Sequence, residues 1–245
     1  MLLVENVHKS FSGHQVLKGV SLKVTQGTTR VILGLSGSGK SVLMKHMIGL
    51  MKPDSGKIIM DGEDLTQLSA KKLQEKRKEF GMVFQQSALF DSMTVWENVA
   101  FPLKEHTKLG RTEINQRVME KLELVGLEHS KNKFPSELSG GMRKRVGLAR
   151  AVILSPKCIF YDEPTTGLDP VTTDNVDNMI LDASRRLQVT SIVISHDIGS
   201  AIRVADEIAV LHNGEIVEDC AAQDIRKSQH HFVRNFLDIW FGKQE

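Results

Sequence analysis

The sequence predicts an α/β fold with a mostly parallel sheet, an antiparallel β subdomain at its N-terminus and an inserted α-helical subdomain. Three observations carry this. Cys158-Ile-Phe-Tyr161 and Ser191-Ile-Val-Ile194 are nearly continuous apolar runs, as strands covered on both faces are. A glycine-rich loop, Gly34-Leu-Ser-Gly-Ser-Gly-Lys-Ser41, lies between the apolar run 30–33 and a helical pattern. A charged stretch of helical periodicity, about 87–154, interrupts the strands.

Residues 2–7 and 20–24 alternate apolar and polar side chains, the pattern of half-exposed antiparallel strands. Lys57-Ile-Ile-Met60 repeats it, and Asp61-Gly62 supplies a turn. The run 30–33 reads as a short buried strand feeding the glycine loop, after which Leu43, Met47 and Leu50 recur at helical spacing. Strand, G-x-x-x-x-G-K-[ST] loop and helix in that order predict a P-loop NTPase core. In the insert, Ile114, Val118, Leu122 and Val125 share one helix face, and Gly126 suits a C-cap. A helix over 171–187 separates the two apolar runs, and the strands 207–211 and 215–218 form a hairpin turning on Asn213-Gly214. Phe232, Val233, Phe236, Leu237 and Trp240 mark an amphipathic helix, to be docked on its own domain or on a second copy. The 245 residues therefore read as one domain: a core with its β subdomain (1–86 and 155–228), a helical subdomain (87–154) and a C-terminal helix (229–245).

With 32 basic against 30 acidic residues the net charge is +2, which gives no reason to expect a nucleic-acid partner. Two cysteines, Cys158 and Cys220, are too few for a disulfide framework and suit a reducing compartment. No run approaches the ~18 apolar residues of a membrane span. The N-terminus meets Glu5 before any long apolar core, so no signal peptide is read. A cytoplasmic location follows as the expectation, unless a partner holds the chain at a membrane.

The glycine loop is phosphate chemistry: the backbone of Ser36, Gly37, Ser38 and Gly39 wraps phosphate oxygens, Lys40 reaches the terminal phosphates and the Ser41 hydroxyl suits Mg²⁺. Asp162 and Glu163 end a buried strand. There Asp162 suits a metal ion and Glu163 suits the activation of water, against the plainer reading of a solvated acidic turn. Ser139-Gly140-Gly141 opens a helix and reads as a second anion site or as a simple N-cap. His196, at a strand end, reads as a surface residue or as a γ-phosphate sensor. Gln85 reads as an edge polar group or as a contact to metal or water, and Phe11 as a core aromatic or an adenine-stacking ring.

Taken together and in this order, these residues resemble the nucleotide-binding subunit of an ABC transporter along essentially the whole chain. The resemblance implies adenine stacking at Phe11, a Walker A loop at 34–41 followed by Val42, and a Q-loop glutamine at Gln85. It implies the LSGG signature at 138–142, a Walker B strand at 158–163, a D-loop at 166–169 ending in Asp169, and a switch histidine at His196. Two positions depart from the family pattern: Val42 replaces the usual threonine and Met142 the usual glutamine. At the adenine position the family more commonly has tyrosine than the phenylalanine of Phe11. ATP and Mg²⁺ are the implied ligands, and a second copy closing head to tail is the implied partner. A narrower resemblance, carried by 41–46, 88–103 and 141–146, is to the Mla/MCE branch, whose ATPases energise phospholipid or other lipid movement across the Gram-negative envelope. It implies a multi-span permease docking near 88–103, MCE-domain and small cytosolic accessory subunits, and a peripheral place on the inner face of the inner membrane. Leu89, Phe90, Met93, Val95, Trp96 and Val99 suit either that docking or subdomain core. A polar-solute importer ATPase and a soluble ABC ATPase of the iron–sulfur assembly type are the alternatives.

Overall fold

The computed structural model describes residues 1–242. Two sheets form its frame. The first is antiparallel, in the order β2-β1-β4-β5, from β1 (Leu2–Phe11), β2 (His14–Val24), β4 (Ser55–Met60) and the short β5 (Glu63–Asp64). The second has the order β10-β9-β3-β8-β7-β6, from β3 (Thr29–Leu33), β6 (Phe80–Val83), β7 (Cys158–Asp162), β8 (Thr190–Ser195), β9 (Glu207–His212) and β10 (Glu215–Ala221). Every pairing in it is parallel except the β9–β10 hairpin at one edge. That hairpin turns on Asn213 (φ +50°) and Gly214 (φ +85°), the left-handed pair that an Asn-Gly turn supplies.

The apolar runs follow from the layering. Alternate residues of a strand point to opposite faces, and here both faces are covered. Val31, Leu33, Ile159, Tyr161 and Val193 face one core, shared with the helices. Ile32, Cys158, Phe160, Ile192 and Ile194 face a second core, shared with the antiparallel sheet. Burying each large side chain contributes roughly 1.5–3 kcal/mol. On the second face Phe160 meets Phe80 edge-on, with ring centroids 5.5 Å apart.

The helices are α1 (Lys40–Met47), α2 (Ala70–Arg77), α3 (Val95–His106), α4 (Arg111–Leu124), α5 (Gly140–Ala151), α6 (Pro170–Leu187), α7 (Ile198–Val204) and α8 (His231–Phe241). Thr94 and Glu97 close a capping box on α3, and Ile114, Val118 and Leu122 of α4 are buried. Helix α1 ends a turn earlier than its apolar spacing suggests. Gly49 turns the chain at φ +69°, Leu50 and Met51 both donate to the Lys45 carbonyl, and Leu50 is left 58% exposed. Helix α8 docks on its own domain through Val233 and Leu237, and Phe232 stacks on His212 at 3.7 Å. Ile239, Trp240 and Phe241 remain exposed. The end of the span read as a C-terminal helix, 243–245, lies outside the described residues.

In this topology the carboxyl ends of four neighbouring parallel strands carry the chemistry-bearing residues. The glycine loop follows β3, Gln85 follows β6, Asp162 ends β7 and is followed by Glu163, and His196 follows β8. The crevice outside those ends is where open parallel sheets bind ligands.

Candidate active site

The glycine loop is built for close approach. Gly37 and Gly39 sit at φ +80° and +105°, conformations that suit glycine. A Cβ at Gly34 would collide with the Leu211 carbonyl. Ser36, Gly37, Gly39, Lys40, Ser41 and Val42 line one side of a cleft of about 390 Å³, and Gln85, Glu163, Thr166 and His196 line the other. The buried Lys40 ammonium donates to the carbonyls of Gly34 (2.7 Å) and Leu35 (3.0 Å) and lies 3.3 Å from Glu163 Oε1. Ser38 Oγ is buried without a hydrogen-bond partner.

Glu163 is held on every side. Its backbone takes the left-handed conformation (φ +47°), sparsely populated for a non-glycine residue, and its N–H donates to the Ile194 carbonyl at 2.9 Å. Oε2 accepts from Thr166 Oγ1 (2.9 Å) and from His196 Nδ1 (2.7 Å). Beside it, Asp162 Oδ1 is buried with no hydrogen-bond partner. Burial pushes the Asp162 carboxyl above the usual carboxylate range, and the neighbouring Glu163 charge adds to this, against Lys45 and Lys40. Among the described residues no cluster of three or more His, Cys, Asp or Glu forms a metal cage. A lone carboxylate beside a phosphate cradle is instead the donor set of Mg²⁺, which is held through one or two carboxylates plus substrate phosphates.

The Ser139 loop lies elsewhere. Ser139 Oγ accepts from the Met142 N–H (3.3 Å) as the N-cap of α5. Ser139, Gly140 and Gly141 line a second cleft, of about 720 Å³, opposite Leu168, Asp169 and Thr172. Asp169 caps α6, accepting from the N–H groups of Val171 and Thr172, both at 3.0 Å. The Lys40 loop and the Ser139 loop of one chain thus open into separate clefts.

The profile of the ABC transporter family matches residues 17–166. The chain belongs to that family. It is 44% identical, over 96% of its length and 68% of the relative's, to the probable ribonucleotide transport ATP-binding protein mkl of Mycobacterium leprae. It is 39% identical, over 100% of its length and 73% of the relative's, to the methionine import ATP-binding protein MetN of Carboxydothermus hydrogenoformans. It is 38% identical, over 97% of its length and 90% of the relative's, to the intermembrane phospholipid transport system ATP-binding protein MlaF of Haemophilus influenzae. Among solved structures it superposes on cbiO1 of Clostridium perfringens, part of the ABC transporter complex cbiONQ, with TM-score 0.86, 31% identity and coverage of 97% of this chain and 94% of that one. It also superposes on the dimeric ATP-binding cassette MJ0796 bound to ADP and Pi, with TM-score 0.81, 31% identity and coverage of 91% and 99%. The chain is an ATP-binding ABC transporter subunit and an ATPase, and cassettes of this family dimerise and pair with membrane permease subunits.

Three features of this ABC ATPase differ from the sequence expectations or were not visible in them. Phe11, at the end of β1, does not line the phosphate cleft; it is 41% exposed with the Lys9 ammonium 5.5 Å over its ring, while Val16 of β2 reaches the cleft rim. The apolar run of 88–103 divides. Val95 and Val99 are buried, Leu89 and Trp96 pack against the core, and the Trp96 indole donates to Asn115 Oδ1 at 3.0 Å. Phe90 instead lies at the surface against Phe101, ring centroids 4.9 Å apart, in an open groove of about 300 Å³ with Phe84, Ala88 and Pro102. Finally, α5 carries two cations whose roles no motif announced. Lys144, only 6% exposed, donates to the Pro164 carbonyl, and Arg150 donates to the carbonyls of Ser87 and Ala88, both at 2.8 Å.

Proposed function

We propose that this ABC ATPase binds ATP with Mg²⁺ between two copies closed head to tail and energises phospholipid or other lipid transport from the inner face of a bacterial inner membrane. The observation that carries the shared site is the separation of the two clefts. Lys40, Ser41 and Glu163 line one and Ser139–Gly141 the other, so a site using both sets needs a second chain. In this reading the loop amides and Lys40 hold the phosphates, and the helix N-terminus at Ser139 faces the γ-phosphate of the partner's nucleotide. Ser41, Asp162 and Gln85 are the residues that hold Mg²⁺, which when bound neutralises charge developing on the transferred phosphoryl group. Glu163 orients and deprotonates water, and His196 exchanges its hydrogen bond to Glu163 for one donated to the γ-phosphate. Phe11 is the adenine contact in this assignment once the strand edge and nucleotide meet. ATP draws the copies together because it binds the closed state better than the open one.

The similarity to MlaF supports lipid as cargo, and the groove around Phe90 supports a membrane permease docking at 88–103. MCE-domain and small accessory subunits belong to the same reading. The similarity to mkl and MetN favours a second reading, import of a polar solute. Two experiments test these assignments. In mixed dimers, Lys40→Ala on one chain and Ser139→Arg on the other spoil the same composite site and leave one working; both changes on one chain spoil two. Equal ATPase rates from the two arrangements refute the sharing. Mass spectrometry of the purified permease complex then identifies the cargo: bound phospholipid supports the first reading, and a nucleotide or amino acid with no lipid supports the second.

A further inference from the structure

We propose that Lys144 is a positioning residue for hydrolysis, fixing the Glu163 loop of its own chain through the Pro164 carbonyl. This rests on the reading of Glu163 as the residue that activates water. Lysine is almost never fully buried without a partner, yet Lys144 sits on α5 at 6% exposure. Its recorded partner is the main-chain oxygen of Pro164, and among the described residues no carboxylate lies within 4.0 Å of its ammonium. A desolvated cation retained in that place holds one polar group, and that group belongs to the residue next to Glu163.

What the bond achieves follows from the backbone around it. Glu163 occupies a left-handed conformation that persists only where its surroundings hold it. On its N-terminal side the hold is its own N–H bonded to Ile194 at the end of β8. On its C-terminal side, proline has no N–H to offer a neighbour, so the Pro164 carbonyl is the available handle, and Lys144 takes it. Beyond it the loop closes on itself through Thr166 N–H to the Glu163 carbonyl (3.3 Å) and Leu168 N–H to the Thr165 carbonyl (3.2 Å). The ammonium therefore ties this loop to a helix whose N-cap is Ser139. A loop freed on one side lets the Glu163 carboxylate wander, and misplacement by about 1 Å costs on the order of 10²-fold in rate.

The test is a cycle on the full-length chain, assembled with its permease if turnover requires it: wild type, Lys144→Met, Glu163→Gln and the double variant, with single-turnover hydrolysis and ATP affinity measured for each. Methionine keeps the length and apolar stem and removes the donor. Lys144→Met is expected to lower kcat about tenfold or more with ATP affinity unchanged within about twofold, and to leave the residual rate of Glu163→Gln unaltered, because there the positioned carboxylate is already gone. Lys144→Gln, which retains a donor, is expected to recover part of the rate, and it carries the test should the methionine variant fail to fold. The proposal is overturned if Lys144→Met leaves kcat unchanged, or if it slows Glu163→Gln by the same factor as wild type, which marks a general loss of structure. A Glu163→Gln chain that hydrolyses at the wild-type rate refutes instead the role given to Glu163.

Discussion

Without nucleotide, Glu163 and the Walker lysine neutralise each other, and this predicts that Glu163→Gln binds nucleotide more tightly than wild type even when hydrolysis is impossible. Lys40 Nζ stands 3.3 Å from Glu163 Oε1, with the two side chains 5% and 16% exposed. At that distance the gross attraction is about 5 kcal/mol for an effective dielectric of about 20. Desolvation consumes most of it, and the Gly34 and Leu35 carbonyls keep hold of Lys40 in any case. A net cost of about 1 kcal/mol for prising the pair apart is the working figure, equivalent to roughly fivefold in affinity. The neutral amide also removes a charge that faces the incoming phosphates from the same cleft. Calorimetric titration with a non-hydrolysable triphosphate, at protein concentrations too low for dimerisation, reads the effect directly. Roughly fivefold or tighter binding by Glu163→Gln is expected, shrinking as salt rises only modestly because the pair is largely buried. Equal or weaker binding refutes the idea that this ion pair competes with nucleotide.

Three further outcomes follow. Asn98, fully buried, donates from Nδ2 to the carbonyls of Phe90, Met93 and Thr94 and accepts from the Phe90 N–H; Asn98→Ala is expected to cost about 3 kcal/mol, or ~6–12 °C in Tm by calorimetry. Asp162→Asn is expected to stabilise the protein in EDTA at neutral pH while abolishing hydrolysis. The folded carboxyl is pushed above its ordinary value by burial, so its stabilising protonated form is lost as pH rises through that raised value and the ionised group then opposes folding; a Tm at or below wild type counts against this. Phe84→Ser with Phe90→Ser is expected to weaken assembly with the permease by about 30-fold, the ~2 kcal/mol of an interface hot spot, with nucleotide affinity unchanged; intact co-purification removes the groove from that role.

The core was legible because its physics is local. A strand buried on both faces has to be apolar at successive positions, so 158–161 and 191–194 announced a parallel sheet without any long-range information. The glycine loop was legible because a phosphate needs bare backbone, and Asn213-Gly214 because its turn needs two positive φ values. Helix α2 left no such trace: it buries no side chain fully, only Leu73 packs partly against the core, and its charged sequence therefore has no apolar stripe to read. The packing of Trp96 against the core and the exposure of Phe90 were equally invisible, since both are large apolar groups and only the packing of α3 on α4 and α5 sorts them. Val16 reaches the phosphate cleft from a strand 18 residues before Gly34, where no motif spacing points to it.

Lys144 and Arg150 were missed for a related reason, and their positions explain how the pieces work together. Both sit in a basic helix of which the sequence motif marks only the start, yet each donates to main-chain carbonyls of a loop beside a candidate site residue. Helix α5 has 12 residues, about 18 Å at 1.5 Å per residue. Its N-cap is Ser139, its second turn holds the loop after Glu163, and its last turn holds Ser87 and Ala88, just past Gln85. Ser87 and Ala88 both lie at positive φ (+62° and +44°), a strained pair that the Arg150 guanidinium braces from outside. In the proposed closed dimer, a shift imposed at Ser139 would therefore carry two loops with the helix. The proposed docking of a permease at Phe90, whose ring lies 5.9 Å from the Arg150 guanidinium, would act on the same helix from its other end. In that reading one element joins the Ser139 loop, the loop after Glu163 and the loop after Gln85, so a displacement of α5 reaches all three.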